Sequence, residues 1–133
     1  MAREPAVDRP EVVEEVRAAF DRYERALLAN DIDTLDAFFW RSPSVVCFGP
    51  DTRQQGWEEI SAHRRSLPYQ TLPRTCATLV VTTFGADLAV VTTEFLPEGS
   101  HAVGRQSQTW ARLGDGWRVV SAHVSWQDGI APS

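Results

Sequence analysis

The sequence predicts an α+β domain in which helices cover one face of a curved sheet. In the first half, apolar residues recur at helical spacing, whereas the second half consists of β-branched and aromatic runs separated by turn residues. The clearest turn is Gly114-Asp115-Gly116, which joins two strand-like runs within residues 104–126. Helices followed by a run of antiparallel strands are typical of the α+β class.

A long helix is predicted after Asp8, because Asp8 resembles an N-cap, Pro10 suits the first turn and Glu11 completes a capping box. Shorter helices are predicted over residues 32–40 and about 57–66. The dipeptide Asn30-Asp31 separates the first two helices. The apolar stripe of the long helix comprises Val12, Val16, Ala19, Phe20, Tyr23 and Leu27.

Strands are predicted over residues 44–48, 75–84 and 88–95, followed by the hairpin that contains Gly114. Strict alternation along the last strand gives two faces, neither of which is plainly a solvent face. We therefore expect a pocket and helices on one side and a partner subunit on the other. One face would hold Val120, Ala122, Val124 and Trp126, and the other Trp117, Val119, Ser121, His123 and Ser125.

Length and charge limit the possible functions. The 133 residues are predicted to form one domain over residues 10–128, with a loose tail at 1–9 and a second tail at 129–133. The net charge of −5 leaves no basic stripe for nucleic acid, and no apolar run is long enough to cross a membrane. All 13 basic residues are arginine, so lysine Schiff-base chemistry is excluded. With no signal peptide, we expect a cytoplasmic protein.

Familiar catalytic motifs are missing from the sequence. There is no phosphate-binding glycine loop, no His-Glu-x-x-His motif and no dinucleotide fingerprint. Ser107 lacks the flanking glycines of a nucleophile elbow. Cys47 and Cys76 have no metal-ligand spacing, so we expect reduced thiols, no metal and no cofactor.

Several segments carry a resemblance to a known family. They are residues 26–31, 35–40, 81–85, 104–110 and 116–125, among which the Arg-Gln-Ser-Gln-Thr-Trp run is the most specific. The chain resembles the AtzH-like family of the nuclear transport factor 2-like (SnoaL-like, cystatin-like) superfamily. The resemblance implies a cone-shaped fold, in which a bent sheet wraps the long helix, leaves a pocket at its open end and dimerises through its outer face.

The same resemblance implies a metal-free, decarboxylating amidohydrolase that acts on a small carboxylated urea. In the family, a tyrosine on the first helix and arginines around the pocket mouth hold the anionic substrate. Tyr23 falls at the place of that tyrosine. Cys47 and Leu67 stand where two such arginines are expected, while Arg64 and Arg74 remain. We therefore expect a ligand with at most one negative charge and a planar or apolar part.

Each candidate residue has a functional and a structural interpretation. Tyr23 is either the catalytic hydrogen-bond donor or a tyrosine at the core edge. Gln106 and Gln108 bind either a ligand or each other, and His123 faces either the pocket or the dimer interface. The predicted substrate-binding residues are Trp40, Cys47, Arg64, Arg74, Gln106, Gln108 and Trp126.

Three functions are consistent with the sequence. The first is a metal-free enzyme that acts on a small carbonyl or amide substrate through Tyr23. The second is a SnoaL-like isomerase, dehydratase or cyclase that acts on a more apolar compound. The third is a non-catalytic module that binds a ligand or a partner. Fold class alone does not choose among them.

Overall fold

The computed structural model describes residues 4–67, 71–114, 116–129 and 132. Within these residues the helices are α1 (Pro10–Leu28), α2 (Ile32–Phe38) and α3 (Trp57–Ser66), with a short 3-10 turn at Gln127–Gly129. The strands are β1 (Val46–Phe48), β2 (Arg53–Gln55), β3 (Arg74–Phe84), β4 (Leu88–Pro97), β5 (Gly104–Leu113) and β6 (Gly116–Trp126). The predicted α+β class is confirmed.

The six strands form one sheet in the order β2-β1-β6-β5-β4-β3. β3 to β6 make the predicted antiparallel run, but β1 pairs with β6 in parallel, so the sheet is mixed. β2 was not predicted, because three polar residues show no alternation of their own. It exists through its pairing with β1, in which Val46 lies opposite Gln55.

The start of α1 differs from the prediction. Asp8 has a φ of 57°, and its carboxylate accepts a hydrogen bond from the Thr83 N–H at 2.9 Å instead of capping the helix. Arg9 occupies the cap position and makes no side-chain cap. Ala6 also accepts the Gly85 N–H, so this part of the predicted loose tail is attached to β3. Of the two predicted tails, residues 1–3, 130, 131 and 133 lie outside the described residues, as does Asp115 of the predicted turn.

The second helix begins as predicted and ends earlier. Asp31 caps it, accepting the Thr34 N–H at 3.3 Å. The helix ends at Phe38 because Phe39 is extended and forms a bridge with Val119 of β6. None of the helices in the described residues combines the length and apolarity needed to cross a membrane.

A bulge in β6 overturns the predicted division of its faces. Thr109 lies opposite Ser121 and Trp110 opposite Val119, so Val120 has no partner across the ladder. An extra residue shifts the alternation, which places Trp117 and Val119 on the same face as Ala122. Val119 is completely buried inside the subunit rather than lying on an outer face.

The core lies between α1 and the concave face of the sheet. Val12, Val16 and Ala19 of α1 are almost fully buried there. Tyr23 continues the same stripe and makes edge-on ring contacts with Phe38 and Trp110, with centroids 6.1 and 6.0 Å apart. The predicted amphipathic helix therefore covers the sheet and brings Tyr23 over its centre.

Candidate functional site

Residues on the concave face form rows that lead from the core to an open cleft. The strand register aligns Cys47, Ala122 and Gln108 in an inner row. A middle row contains Val124, Gln106 and Thr93, and an outer row contains Trp126, Gly104 and Phe95. Because neighbouring strands lie about 4.8 Å apart, members of one row are lateral neighbours.

The outer row opens into a cleft of about 600 Å³. The Phe95 ring lies between the Arg74 guanidinium, 4.1 Å from its centroid, and the Trp126 ring, 5.4 Å away. Gly104 makes room for this ring, since a Cβ there would lie 2.1 Å from Phe95 Cζ. The lining residues are Pro50, Asp51, Thr52, Thr71, Leu72, Arg74, Phe95, Pro97, Val124, Trp126 and Pro132.

Arg74 is bound by an acid from α1. Its Nη2 donates to Glu24 Oε1 at 2.6 Å, and its Nε donates to Oε2 at 3.3 Å. The side chains are only 10% and 18% exposed, so water screens this pair weakly. The predicted anchor Arg74 lines the cleft, but its charge is matched by one carboxylate.

Arg64 takes part in a different arrangement. Its Nη1 donates to Asp36 Oδ1 at 2.5 Å, while Asp36 Oδ2 accepts from Ser61 at 2.6 Å and from Arg65 at 3.0 Å. Asp36 is 5% exposed. Two guanidiniums therefore share one buried carboxylate, and Arg64 makes this hydrogen bond through a single nitrogen.

Tyr23 lies within reach of these charges. Burial raises the pKa of its phenol above the usual 10.0, and Arg64 opposes that shift more strongly than Arg74 does. Its side chain is 4% exposed. Among the described residues, no hydrogen-bond partner is found for its hydroxyl.

Cys47 lies in the inner row beside Ala122. Burial raises the pKa of its thiol above 9.0, and the Arg64 charge opposes the shift. A raised pKa keeps the thiol protonated at neutral pH, which agrees with pocket lining better than with a nucleophile. The effect of the Arg64 charge on this pKa also indicates that the two side chains lie near each other.

The two glutamines are buried and incompletely hydrogen-bonded. Gln108 is 1% exposed, and its Oε1 accepts from Trp110 Nε1 at 2.9 Å. The second atom of that amide, Nε2, has no partner in the described structure, nor do Gln106 Oε1 and Thr93 Oγ1. Thr93 lies directly opposite Gln106, so two unpaired polar atoms occur side by side in the middle row. A ligand is one way to satisfy such groups.

Trp40 lies away from this site, contrary to prediction. Its N–H donates to the Val119 carbonyl, near the start of β6, whereas Trp126 ends that strand. At about 3.3 Å per residue, the two positions are roughly 23 Å apart. Trp40 instead lines a separate groove with Trp57, Arg41 and Arg118.

Two other sequence candidates point elsewhere. His123 is exposed and contacts the Phe48 ring at 6.4 Å, on the opposite face from Ala122 and Val124. Leu67 is 37% exposed at the end of α3. No three His, Cys, Asp or Glu side chains within the described ranges are grouped as a metal site.

Sequence reasoning missed three residues that shape the site: Glu24, Asp36 and Phe95. A signal existed for Asp36, since it follows Ile32 by four residues and thus shares a face of the helix with apolar side chains. A carboxylate at such a position needs a buried partner. Glu24 and Phe95 gave no comparable signal, because their roles depend on Arg74 across the fold.

The chain has the nuclear transport factor 2-like, cystatin-like fold. A protein of unknown function from Pectobacterium atrosepticum is 45% identical, with a TM-score of 0.87 over 90% of this chain and 94% of that chain. A cystatin-like fold protein from Burkholderia xenovorans is also 45% identical, with a TM-score of 0.87 over 92% and 96%. A putative ketosteroid isomerase from Parabacteroides distasonis shares the fold at 17% identity, with a TM-score of 0.69 over 81% and 84%.

The AtzH-like family model matches residues 5–129. The chain therefore belongs to the AtzH-like family, which confirms the resemblance found in the sequence. No match is found among curated proteins.

Proposed function

We propose that this protein is a metal-free, cofactor-free enzyme that acts on a small carbonyl or amide substrate, with Tyr23 as hydrogen-bond donor to the reacting oxygen. The observation that carries the proposal is the place of Tyr23: its side chain is 4% exposed and its ring lies edge-on against Trp110, whose indole donates to the partly unpaired amide of Gln108. A phenol O–H at this place can donate a hydrogen bond to a ligand oxygen.

The charge state of Tyr23 fits a donor rather than a base. Burial raises the pKa of the phenol, so it remains protonated through the physiological range. Arg64 supplies positive charge near Tyr23, and its effect on the phenol is one of charge rather than of a hydrogen bond. In acyl-group chemistry, negative charge develops on the carbonyl oxygen, and a fixed donor beside a cation stabilises it.

The unpaired amides would orient the rest of the substrate. Gln106 Oε1 can accept from a substrate N–H, while Gln108 Nε2 can donate to a second oxygen. Cys47 and Arg64 would lie at the anionic end. This polarity supports an amide-type substrate with one carboxylate, while the Phe95 and Trp126 rings would hold its planar part.

A second candidate is an isomerase, dehydratase or cyclase that acts on a more apolar compound. It is favoured by the apolar side chains of the cleft, which include Leu72, Phe95, Val124 and Trp126. A structural neighbour described as a putative ketosteroid isomerase agrees with it, although that similarity concerns the fold. Neighbouring genes would separate the two: amidase genes favour the first candidate and biosynthetic genes the second.

A binding module without catalysis is the third candidate. It is favoured by the state of two ionisable groups near Tyr23. The raised pKa of the Cys47 thiol keeps it protonated and hence a poor nucleophile, and the Glu24 carboxylate is already paired with Arg74. A protein of this kind would bind benzoate or benzamide and show no turnover of any amide in the same screen.

The Tyr23→Phe variant tests the proposed role. We expect the free energy of unfolding to change by at most about 0.5–1.5 kcal/mol. The activation barrier should rise by about 2.7–4 kcal/mol, the usual contribution of an oxyanion donor, and turnover should fall accordingly. The measurements are thermal unfolding and the rate of hydrolysis across a panel of small amides and ureas.

Thr83→Val is the control, since Thr83 also carries a hydroxyl on a buried side chain, and its Oγ1 has no partner in the described residues. Thr83 is in the part of β3 that contacts Asp8, away from the cleft lining. Removal of its hydroxyl should leave turnover unchanged. A Tyr23→Phe enzyme that loses stability but keeps its rate would assign Tyr23 to the core alone.

We further propose that the protein works as a cytoplasmic homodimer through the convex face of the sheet. Val119, which the sequence placed at the dimer interface, is buried on the concave side. The convex face carries exposed Val80 and Leu88, which are 50% and 42% exposed, with uncharged Thr92 and Ser107 between strands. An exposed apolar surface of this kind is typical of an interface.

Sedimentation at micromolar concentration should therefore give twice the subunit mass of 14.9 kDa. Val80→Asp should shift the protein towards the monomer, because it buries an unpaired charge in the interface. Leu72→Asp is the control, since Leu72 is equally exposed but lines the cleft. A wild-type protein that sediments as a monomer would contradict the proposal.

A further inference from the structure

We propose that Glu24 sets the charge selectivity of the cleft: by closing Arg74, it prevents the outer end from binding a second carboxylate. The proposal rests on the proposed function, namely that this cleft holds a small ligand. It assigns selectivity to a residue that is present, rather than to the two arginines replaced by Cys47 and Leu67.

Glu24 and Arg74 form an ion pair through two nitrogens of the guanidinium. An arginine recognises a carboxylate best through two parallel N–H groups. Glu24 already occupies such a pair, taking Nη2 at 2.6 Å and Nε at 3.3 Å. A ligand carboxylate can reach only the remaining Nη1/Nη2 edge of Arg74, where it meets a guanidinium whose charge is already matched and lies close to the negative charge of Glu24.

Two sets of contacts hold the Arg74 side chain in position. Its guanidinium lies 4.1 Å from the centroid of Phe95, which in turn contacts Trp126. Stacking and the ion pair hold the side chain from two directions, and it is only 10% exposed. Arg74 therefore cannot turn away from Glu24 towards a ligand without losing both contacts.

The two ends of the cleft differ in charge. Glu24 and Arg74 form a one-to-one pair, so the outer end is neutral and presents aromatic rings. The charge of Arg64 acts on Tyr23 and Cys47 at the inner end. A ligand with one carboxylate at the inner end and a neutral planar part at the outer end matches this distribution.

Benzoate and isophthalate form a matched pair of probes, because they differ by one carboxylate on the same ring. Wild-type protein should bind benzoate more tightly than isophthalate, as measured by calorimetry at low ionic strength. In Glu24→Gln, the isophthalate affinity should rise by at least about tenfold, since an uncompensated guanidinium at contact distance is worth that much. Benzoate affinity should change by less than about threefold.

The doubly neutral Glu24→Gln/Arg74→Gln variant gives a second, independent test. It keeps a hydrogen-bonded pair of similar size and leaves no unpaired charge, so it can be measured even if Glu24→Gln does not fold. We expect it to keep the wild-type preference for benzoate over isophthalate within about threefold. A large loss of benzoate binding would show that Arg74 anchors ligands despite Glu24, and would overturn the inference.

The same measurements separate this inference from the proposed function. If wild-type protein binds neither probe but Glu24→Gln gains isophthalate, the inference stands and the proposed carboxylate site fails. If wild-type protein binds benzoate and Glu24→Gln gains nothing, the proposed function stands and Glu24 has no selective role. If no variant binds either probe, both are wrong.

Discussion

Arg64 and Arg74 are two mostly buried arginines that pair with acids in different ways. Arg74 meets Glu24 through two nitrogens in a one-to-one pair. Arg64 donates through one nitrogen to Asp36, and Arg65 shares that same carboxylate. The positive charge of Arg64 therefore affects the pKa values of Tyr23 and Cys47. The charge of Arg74, by contrast, is matched by the adjacent carboxylate of Glu24.

The comparison shows that the number of arginines near a pocket does not give its charge. Arg74 lines the cleft, Arg64 affects the pKa values of Tyr23 and Cys47, and both arginines are mostly buried. The difference lies in the acids that reach them from α1 and α2. A pocket arginine acts as an anion anchor only to the extent that its carboxylate partner leaves charge and N–H groups available.

The largest expected effect comes from breaking the acid on the Arg64 side. Asp36→Ala removes the carboxylate that Ser61, Arg64 and Arg65 share, leaving a buried guanidinium without a partner. We expect a loss of roughly 3–5 kcal/mol in the free energy of unfolding, measured with urea.

Asp33→Ala is the control for this change. Asp33 also binds Arg65, at 3.0 Å, but its side chain is 90% exposed. An exposed pair of this kind contributes about 0–1 kcal/mol. Equal losses in the two variants would contradict the special position of Asp36.

A smaller effect is expected from removing the anchor itself. Arg64→Met keeps the length and apolar contact of the side chain near Phe39 but removes the charge. Benzoate binding should weaken by about 1.5–3 kcal/mol, the usual value of a hydrogen bond to a charged group. Arg65→Met is the matched control on the same helix, because Arg65 is 52% exposed and shares Asp36. Calorimetry of the two variants should differ by at least about tenfold in affinity.

The smallest effect concerns the outer end of the cleft. In Gly104→Ala, the new methyl group would overlap the Phe95 ring, so Phe95 must move away from Arg74 and Trp126. Overpacking of this kind costs about 1–3 kcal/mol of stability. A Gly104→Ala/Phe95→Leu double variant should recover part of the lost stability, as measured by thermal unfolding. If the two residues were independent, the stability changes of the single variants would simply add in the double variant.

Much of the fold follows from local patterns in the sequence. The apolar stripe of α1, the cap at Asp31 and the Gly114 turn region each specify an element through nearby residues. The start of α3 at Trp57 and its end at Ser66 agree with the prediction. These features depend on backbone periodicity and capping, which neighbouring residues determine.

The errors occur where a distant partner decides the outcome. Asp8 hydrogen-bonds to Thr83 instead of capping α1, and β2 exists only through its pairing with β1. The bulge at Val120 places Trp117 and Val119 on the face opposite to the one expected. Each depends on register between strands, and register is set by the packed sheet rather than by the residues of one strand.

For the site, the sequence by itself determined the family and the residue types available: a tyrosine on α1, two glutamines on β5 and arginines on α3 and β3. Only the tertiary structure decided which charges remain available, because Glu24 and Asp36 reach Arg74 and Arg64 across 50 and 28 residues of chain. It also placed Trp126 at the cleft and Trp40 at a separate groove. The physical reason is that ion pairing and burial depend on distances in space, which residue order does not contain.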